Sequence, residues 1–228
     1  MKVNFFWSGD NFSYYNRLCV LSHIHVGHSV IIWLHGDSPD SKNWVNDLDI
    51  TINDANQVFN VSGFLKSGGN FKTASSMWRF HFLYKFGGLY CDLDALAIKR
   101  FPNTEWILCS GERDRKSLST GVIKAPSNSP VFLDSIKNIK KDWGNVKVFN
   151  ESYKKYYKNA LPTHDNKLFY PYNWKEWDYL FKDINIYDCY SIHLYHTMLE
   201  RNNKIKEKEV LLKNKNTLIY KIIKKFDQ

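Results

Sequence analysis

The chain has 228 residues, 43% hydrophobic and 16% aromatic, enough apolar mass for one large domain and too much for a disordered chain. No apolar run reaches the length of a membrane-spanning helix, and the first residues, Met-Lys-Val-Asn-Phe-Phe-Trp-Ser-Gly, lack the long apolar segment of a signal peptide. The net charge of +9 is uneven: residues 201–228 carry nine Lys or Arg against three Asp or Glu, leaving only +3 for residues 1–200, which favours a basic tail on an ordinary domain over a uniform nucleic-acid-binding face.

Residues 4–7 read as a first strand and Ser8-Gly9-Asp10 as the turn leaving it. From residue 14 to 25 the spacing of Leu18, Leu21 and Ile24 predicts a helix, and residues 29–34 a second buried strand. Strand, helix, strand opens a nucleotide-binding α/β fold, whose ligands sit beyond the carboxyl ends of the strands. Trp7 lies at such an end, either as a ligand platform or as a core tryptophan. Residues 37–54 form a polar connection with a short strand near 50–52.

Gly68-Gly69-Asn70 marks a turn ahead of a helix over residues 73–86. Its apolar positions nearly encircle it, yet Lys72, Ser75, Ser76 and Arg79 share one side, and a polar stripe on a buried helix needs partners. Sugar or ribose hydroxyls and a phosphate would satisfy it; so would an internal ion pair from Arg79 to Asp92 or Asp94. Gly87-Gly88 ends that helix, residues 89–91 read as a short buried strand, and Asp92 and Asp94 leave it one residue apart, on the same side. Two like charges at the end of a buried strand repel unless a cation joins them, and all-oxygen ligands suit Mg²⁺ or Mn²⁺ bridging to phosphate. A solvated turn capping the next helix is the other reading of the pair.

Beyond the pair, residues 96–98 extend the chain until Pro102, residues 106–110 predict another strand, and residues 111–116 form a densely charged loop. Residues 130–141 predict a helix with Val131, Phe132, Leu133, Ile136 and Ile139 inward. Residues 143–187, rich in Tyr and Trp (Tyr153, Tyr156, Tyr157, Tyr170, Tyr172, Trp174, Trp177), read as an irregular aromatic core that would also suit carbohydrate rings or single-stranded nucleic acid. From residue 202 the tail ends with Leu218, Ile219, Ile222, Ile223 and Phe226 on one helical face and Lys221, Lys224 and Lys225 off it. Such a helix either packs on its own domain or makes peripheral membrane contact through residues 203–228. Cys19, Cys91, Cys109 and Cys189 are scattered, and buried reduced thiols in a cytoplasmic setting are expected.

The stretch from Thr73 to Asp94, Thr-Ala-Ser-Ser-Met-Trp-Arg-Phe-His-Phe-Leu-Tyr-Lys-Phe-Gly-Gly-Leu-Tyr-Cys-Asp-Leu-Asp, resembles the sugar-binding DXD region of family 32 glycosyltransferases, akin to mannosyl-, galactosyl- and capsular polysaccharide transferases. That pattern is a helix with Ser-Asp and then Arg, a Tyr-Gly-Gly turn, an apolar strand and Asp-x-Asp; here Ser76 stands where the helix aspartate is expected. Trp7-Ser8-Gly9 is similar to the family's base-holding turn, Ser191-Ile-His193-Leu-Tyr-His196 to the segment that closes its site, and Ser119 to Pro126 more loosely to the strand after its acceptor loop.

The resemblance implies an α/β, GT-A type single domain over residues 1–200, a Rossmann-like mixed sheet with helices on both faces, followed by a basic helical tail over 201–228. It implies a retaining hexosyltransferase using Mn²⁺ (or Mg²⁺), a UDP- or GDP-hexose donor, and a carbohydrate or lipid-linked glycan acceptor. Asp92, Asp94 and Arg79 would be catalytic; Trp7, Ser75, Arg79, Tyr90 and Asp92 would hold the donor; Asp92, Asp94 and His193 would hold the metal. A nucleotidyltransferase would need a third carboxylate on a neighbouring strand and a Gly-Ser turn, and neither is present in the sequence. A non-enzymatic nucleic-acid or membrane-surface binder leaves the Asp pair unexplained.

Overall fold

Five strands form the central sheet, in the order Thr51–Asp54, Ser29–His35, Lys2–Ser8, Gly88–Cys91 and Val122–Ala125. The computed structural model describes residues 1–36, 42–110, 117–140, 145–158, 164–185 and 188–227, so the charged loop at 111–116 lies outside the described residues. Strand β1 (Lys2–Ser8), helix α1 (Tyr14–His25) and β2 (Ser29–His35) make the opening unit, followed by β3 (Thr51–Asp54). Short helix α2 (Val61–Lys66) leads to the central helix α3 (Phe71–Phe86), then β4 (Gly88–Cys91) and β5 (Ala95–Ala97). The rest comprises β6 (Val122–Ala125), α4 (Pro130–Asn138), α5 (Asn145–Tyr157), β7 (Ser191–His193), α6 (His196–Arg201), α7 (Lys208–Leu211) and α8 (Leu218–Phe226).

Strands β1, β2, β3 and β4 run parallel, and β6 closes the β4 edge antiparallel. Parallel strands are covered on both faces, and the alternation of side chains decides which core each residue joins. Val3, Phe5, Ile32 and Leu89 enter one cluster, while Phe6, Trp33 and Tyr90 enter a second with Trp78, Phe80 and Leu83 of α3. A third cluster joins Tyr15 and Leu18 of α1 to Leu96 of β5, Ile192 of β7 and the whole apolar face of α8. Strands β5 and β7 pair antiparallel as a separate ribbon.

Helix α3 is started by Asn70, whose Oδ1 accepts the Thr73 amide at 2.9 Å. It is ended by Gly87 at φ +63°, where a Cβ would stand 2.5 Å from the Ser127 nitrogen, so only glycine fits the bend that turns α3 into β4.

Two expectations change, and the structure chooses between the two readings of the tail. Residues 106–110 are buried but touch their neighbours only through single bridges, Ile107 to Lys124, Cys109 to His164 and Ser110 to Leu118, and are not a strand. Within 143–187 the chain is not all irregular, since α5 packs Val148, Phe149 and Tyr153 inward. In the tail, Leu218, Ile219, Ile222, Ile223 and Phe226 are all buried, so the apolar face rests on the protein's own core and not outward. Lys221 pairs with Asp183 at 2.6 Å and Lys225 donates to the Ile98 carbonyl at 3.1 Å, fixing the helix's polar side. All four cysteines are buried thiols outside any disulfide. Among the described residues no helix is long and apolar enough to cross a membrane.

Candidate active site

From β1 the chain crosses to β2 on one side and later to β4 on the other, so the sheet's switch point lies between the carboxyl ends of β1 and β4. Open parallel sheets bind ligands there. A cleft of about 630 Å³ opens at that point, floored by Trp7 and Ser8 at the end of β1 and by Asp92 and Asp94 beyond β4. Helix α3 contributes Ser75 and Arg79, and Tyr90 lines the cleft from β4. The structure thus gathers Trp7, Ser75, Arg79, Tyr90, Asp92 and Asp94 in one place, although they span 87 positions from first to last.

Arg79 is 4% exposed, and its guanidinium is held by a network. Its Nη1 donates to the Thr120 carbonyl at 2.7 Å, and its Nη2 donates to Asp92 Oδ1 at 2.5 Å and to the Tyr90 hydroxyl at 3.1 Å. Tyr90 in turn donates to the same Asp92 oxygen at 2.7 Å. Burial works to raise the Asp92 pKa, but the Arg79 guanidinium, His193 and the Tyr90 hydroxyl outweigh it and hold the carboxyl below the ordinary range. Of the two readings of the α3 polar stripe, the internal ion pair is present for Arg79, and Ser76 Oγ satisfies itself on the Lys72 carbonyl at 3.0 Å. Ser75 remains half-buried on the cleft wall.

His193 reaches the same point from β7. Its Nε2 stands 3.2 Å from Asp94 Oδ1 and 3.8 Å from Asp92 Oδ2, and one ligand atom from each of the three residues lies within 4.8 Å of the others. Two carboxylates and an imidazole suit a borderline-hard ion such as Mn²⁺. Gly121 adds an independent sign of fit: a Cβ there would stand 3.0 Å from Asp92 Oδ2 and 3.2 Å from His193 Nε2, so its absence keeps space beside two of the three groups. His193 Nδ1 accepts a long contact of 3.3 Å from the Tyr195 amide, which leaves Nε2 as the ring nitrogen facing Asp94.

Trp7 donates its indole N–H to the Gly9 carbonyl at 3.0 Å and sets its ring edge-on to Phe12 and His196, so what it offers the cleft is ring surface. His196 is not brought to the metal trio through its ring, which meets Ser13 Oγ at 3.0 Å; its amide donates to Asp94 Oδ2 at 3.0 Å. Tyr195, between the two histidines, takes a left-handed conformation at φ +55° that lets both flank Asp94. Of the aromatic residues in 143–187, Tyr170 comes beside His193, with ring centres 5.7 Å apart; Tyr156 and Trp174 are exposed and do not line the cleft.

Sequence reasoning missed Asn16, whose Nδ2 donates to the Leu93 carbonyl at 3.0 Å under the Asp pair, together with Thr120, Gly121 and Glu200. For Thr120 and Gly121 the signal was the loosely matching segment from Ser119 to Pro126.

Residues 11–110 match the family model described as the glycosyltransferase sugar-binding region containing the DXD motif. That match covers 100 of the 228 residues and makes this part of the chain similar to the sugar-binding region of DXD glycosyltransferases. The chain's fold is similar to that of the PaToxG glycosyltransferase, at 17% identity and a TM-score of 0.52 over 68% of this chain and 67% of that one. Weaker likenesses are to a transferase solved as a double cysteine-to-serine mutant (13% identity, TM-score 0.49, 71% of this chain and 84% of that) and to the galactosyltransferase LgtC in complex with donor and acceptor sugar analogues (16% identity, TM-score 0.38, 71% and 66%). No curated protein sequence matches the chain. The matched region includes α1, α3 and both aspartates, while Trp7, Gly121 and His193 lie outside it.

Proposed function

We propose that the protein transfers a hexose from a UDP- or GDP-sugar to a glycan or glycolipid acceptor, with retention of configuration and with a divalent ion held by Asp92, Asp94 and His193. The observation that carries this is the convergence of those three side chains at the switch point of the sheet, where Asp92 and Asp94 line a cleft of the volume a small ligand needs. The ion, Mn²⁺ or Mg²⁺, supplies charge neutralisation for the departing diphosphate. Asp94, with its oxygens on the His193 and His196 sides, is a direct ligand; Asp92 is shared between ligation and Arg79.

Arg79 is fixed by the Thr120 carbonyl, so it keeps its cation at the cleft floor without reorganisation when charge builds on the leaving group. Ser75 presents a hydroxyl to the donor sugar or ribose, and Trp7 presents ring surface to the base. Calorimetric titration of UDP- and GDP-hexoses decides the matter: binding with Mn²⁺ and its loss in EDTA are expected, and unchanged affinity in EDTA sinks the metal-dependent reading.

A further inference from the structure

Along α3, Phe71, Ser75 and Arg79 are spaced four apart and form one stripe, and all three line the cleft. At about 1.5 Å of rise per residue, Ser75 lies about 6 Å outward from Arg79, and Phe71 about 6 Å beyond Ser75, close to the width of one hexose ring per step. Arg79 at the inner end is buried and charged, whereas Phe71 at the outer end is 57% exposed, the highest value among the large hydrophobic residues described. Phe71 joins none of the three core clusters. Among the described residues no aromatic ring packs against it. Val146, 40% exposed, meets the same cleft from α5.

Charge decides what kind of group belongs there. Lys72, Arg79 and Arg201 on the cleft wall are matched by Asp92, Asp94 and Glu200. A divalent ion then adds two positive charges and a nucleoside diphosphate sugar two negative ones, so no surplus cation is left for an anionic acceptor. An exposed aromatic face beside hydrogen-bonding groups suits the C–H face of an uncharged sugar.

We infer that Phe71 is the stacking platform for a neutral pyranose ring of the acceptor, one helical turn outward from the donor sugar. The inference rests on the glycosyl-transfer reading and adds to it the acceptor's chemical class and a residue that selects it.

Saturation-transfer NMR on the full chain with Mg²⁺ and UDP or GDP tests it, with the methyl pyranosides of glucose, galactose and mannose as probes and methyl glucuronoside and glucose 6-phosphate as their anionic counterparts. At least one neutral glycoside is expected to take up saturation on its ring C–H protons. Phe71→Ala should weaken that glycoside about three- to tenfold. Phe71→Trp should restore it, and in both variants the sugar's affinity should change more than the nucleotide's. Unaltered sugar affinity in Phe71→Ala overturns the inference, as do tighter binding of the anionic sugars and an absence of transfer to every neutral pyranoside. A larger loss of nucleotide than of sugar affinity reassigns Phe71 to the donor and overturns it too. If no nucleotide binds the wild-type protein under any metal, the transfer reading falls together with it.

Discussion

Asp94 is anchored on three sides: Oδ2 accepts the His196 amide, Oδ1 faces His193 Nε2, and its carbonyl accepts the Leu194 amide at 2.7 Å. Asn keeps an acceptor for the His196 amide but removes a charge from the ion, so Asp94→Asn should lower turnover by about 100-fold or more. Repulsion between the two aspartates would make the same change stabilising, but Asp92 is already neutralised by Arg79. The melting temperature is therefore expected near wild type. Transfer assays with thermal melts check both, and wild-type turnover with an unaltered Mn²⁺ dependence rules out the site. Gly121 gives a complementary case that removes no ligand atom. The Cβ of Gly121→Ala would press the Tyr170 hydroxyl at 2.9 Å and fill the space beside Asp92 and His193. Mn²⁺ affinity should fall by about tenfold or more, on the scale seen when the groups around a metal's ligands are altered. Undiminished Mn²⁺ binding by calorimetry would place the ion elsewhere.

Among the elements, α8 is the one whose two readings diverge most. With Ile223 fully buried in the third cluster, Ile223→Ala should cost about 2–5 kcal/mol in urea melts, whereas a membrane-facing position would cost almost nothing. The sequence made β1, α1 and β2 legible through their apolar spacing, and α3 through the Gly68-Gly69-Asn70 and Gly87-Gly88 turns that bound it. It did not show α5, whose buried Val148, Phe149 and Tyr153 fall at helical spacing but lie in a stretch rich in Tyr, Asn and Lys that reads as irregular. Residues 106–110 misled for the opposite reason: Trp106, Ile107, Leu108 and Cys109 are all buried, as in a central strand, yet only single bridges join them to neighbours. Arg79, Asp92 and Asp94 were singled out together in the sequence because a helix, a short strand and the turn beyond it follow one another, and the structure brings all three to the cleft. Gly121 and Phe71 were not, because their roles depend on β6 pairing beside β4 and on which end of α3 faces the cleft mouth.

At the scale of the molecule, α1 is the element that joins the main sheet to the β5–β7 ribbon, with side chains in both the first and third clusters. His23 makes that junction with no exposed surface: its Nε2 donates to the Ala95 carbonyl at 2.9 Å, while Phe5, His28 and Phe101 close around its ring. Nδ1 has no partner among the described residues, so a second proton there would be buried and unsatisfied. Burial accordingly pushes the His23 pKa down to about 3, and His28 beside it down to about 4. Unfolded histidine titrates near 6.5, so between these values the unfolded chain binds more protons than the folded one, and stability rises with pH. The contribution is complete above about pH 6.5 and is lost progressively as the pH falls toward 3; for His23 alone the loss at pH 5 is about 2 kcal/mol. Gln in its place can still donate to Ala95 but cannot titrate. Urea melts at pH 8 and pH 5 should therefore show His23→Gln losing about 2 kcal/mol less than wild type between the two conditions. Equal losses in the two proteins would mean that the junction opens to water before His23 charges.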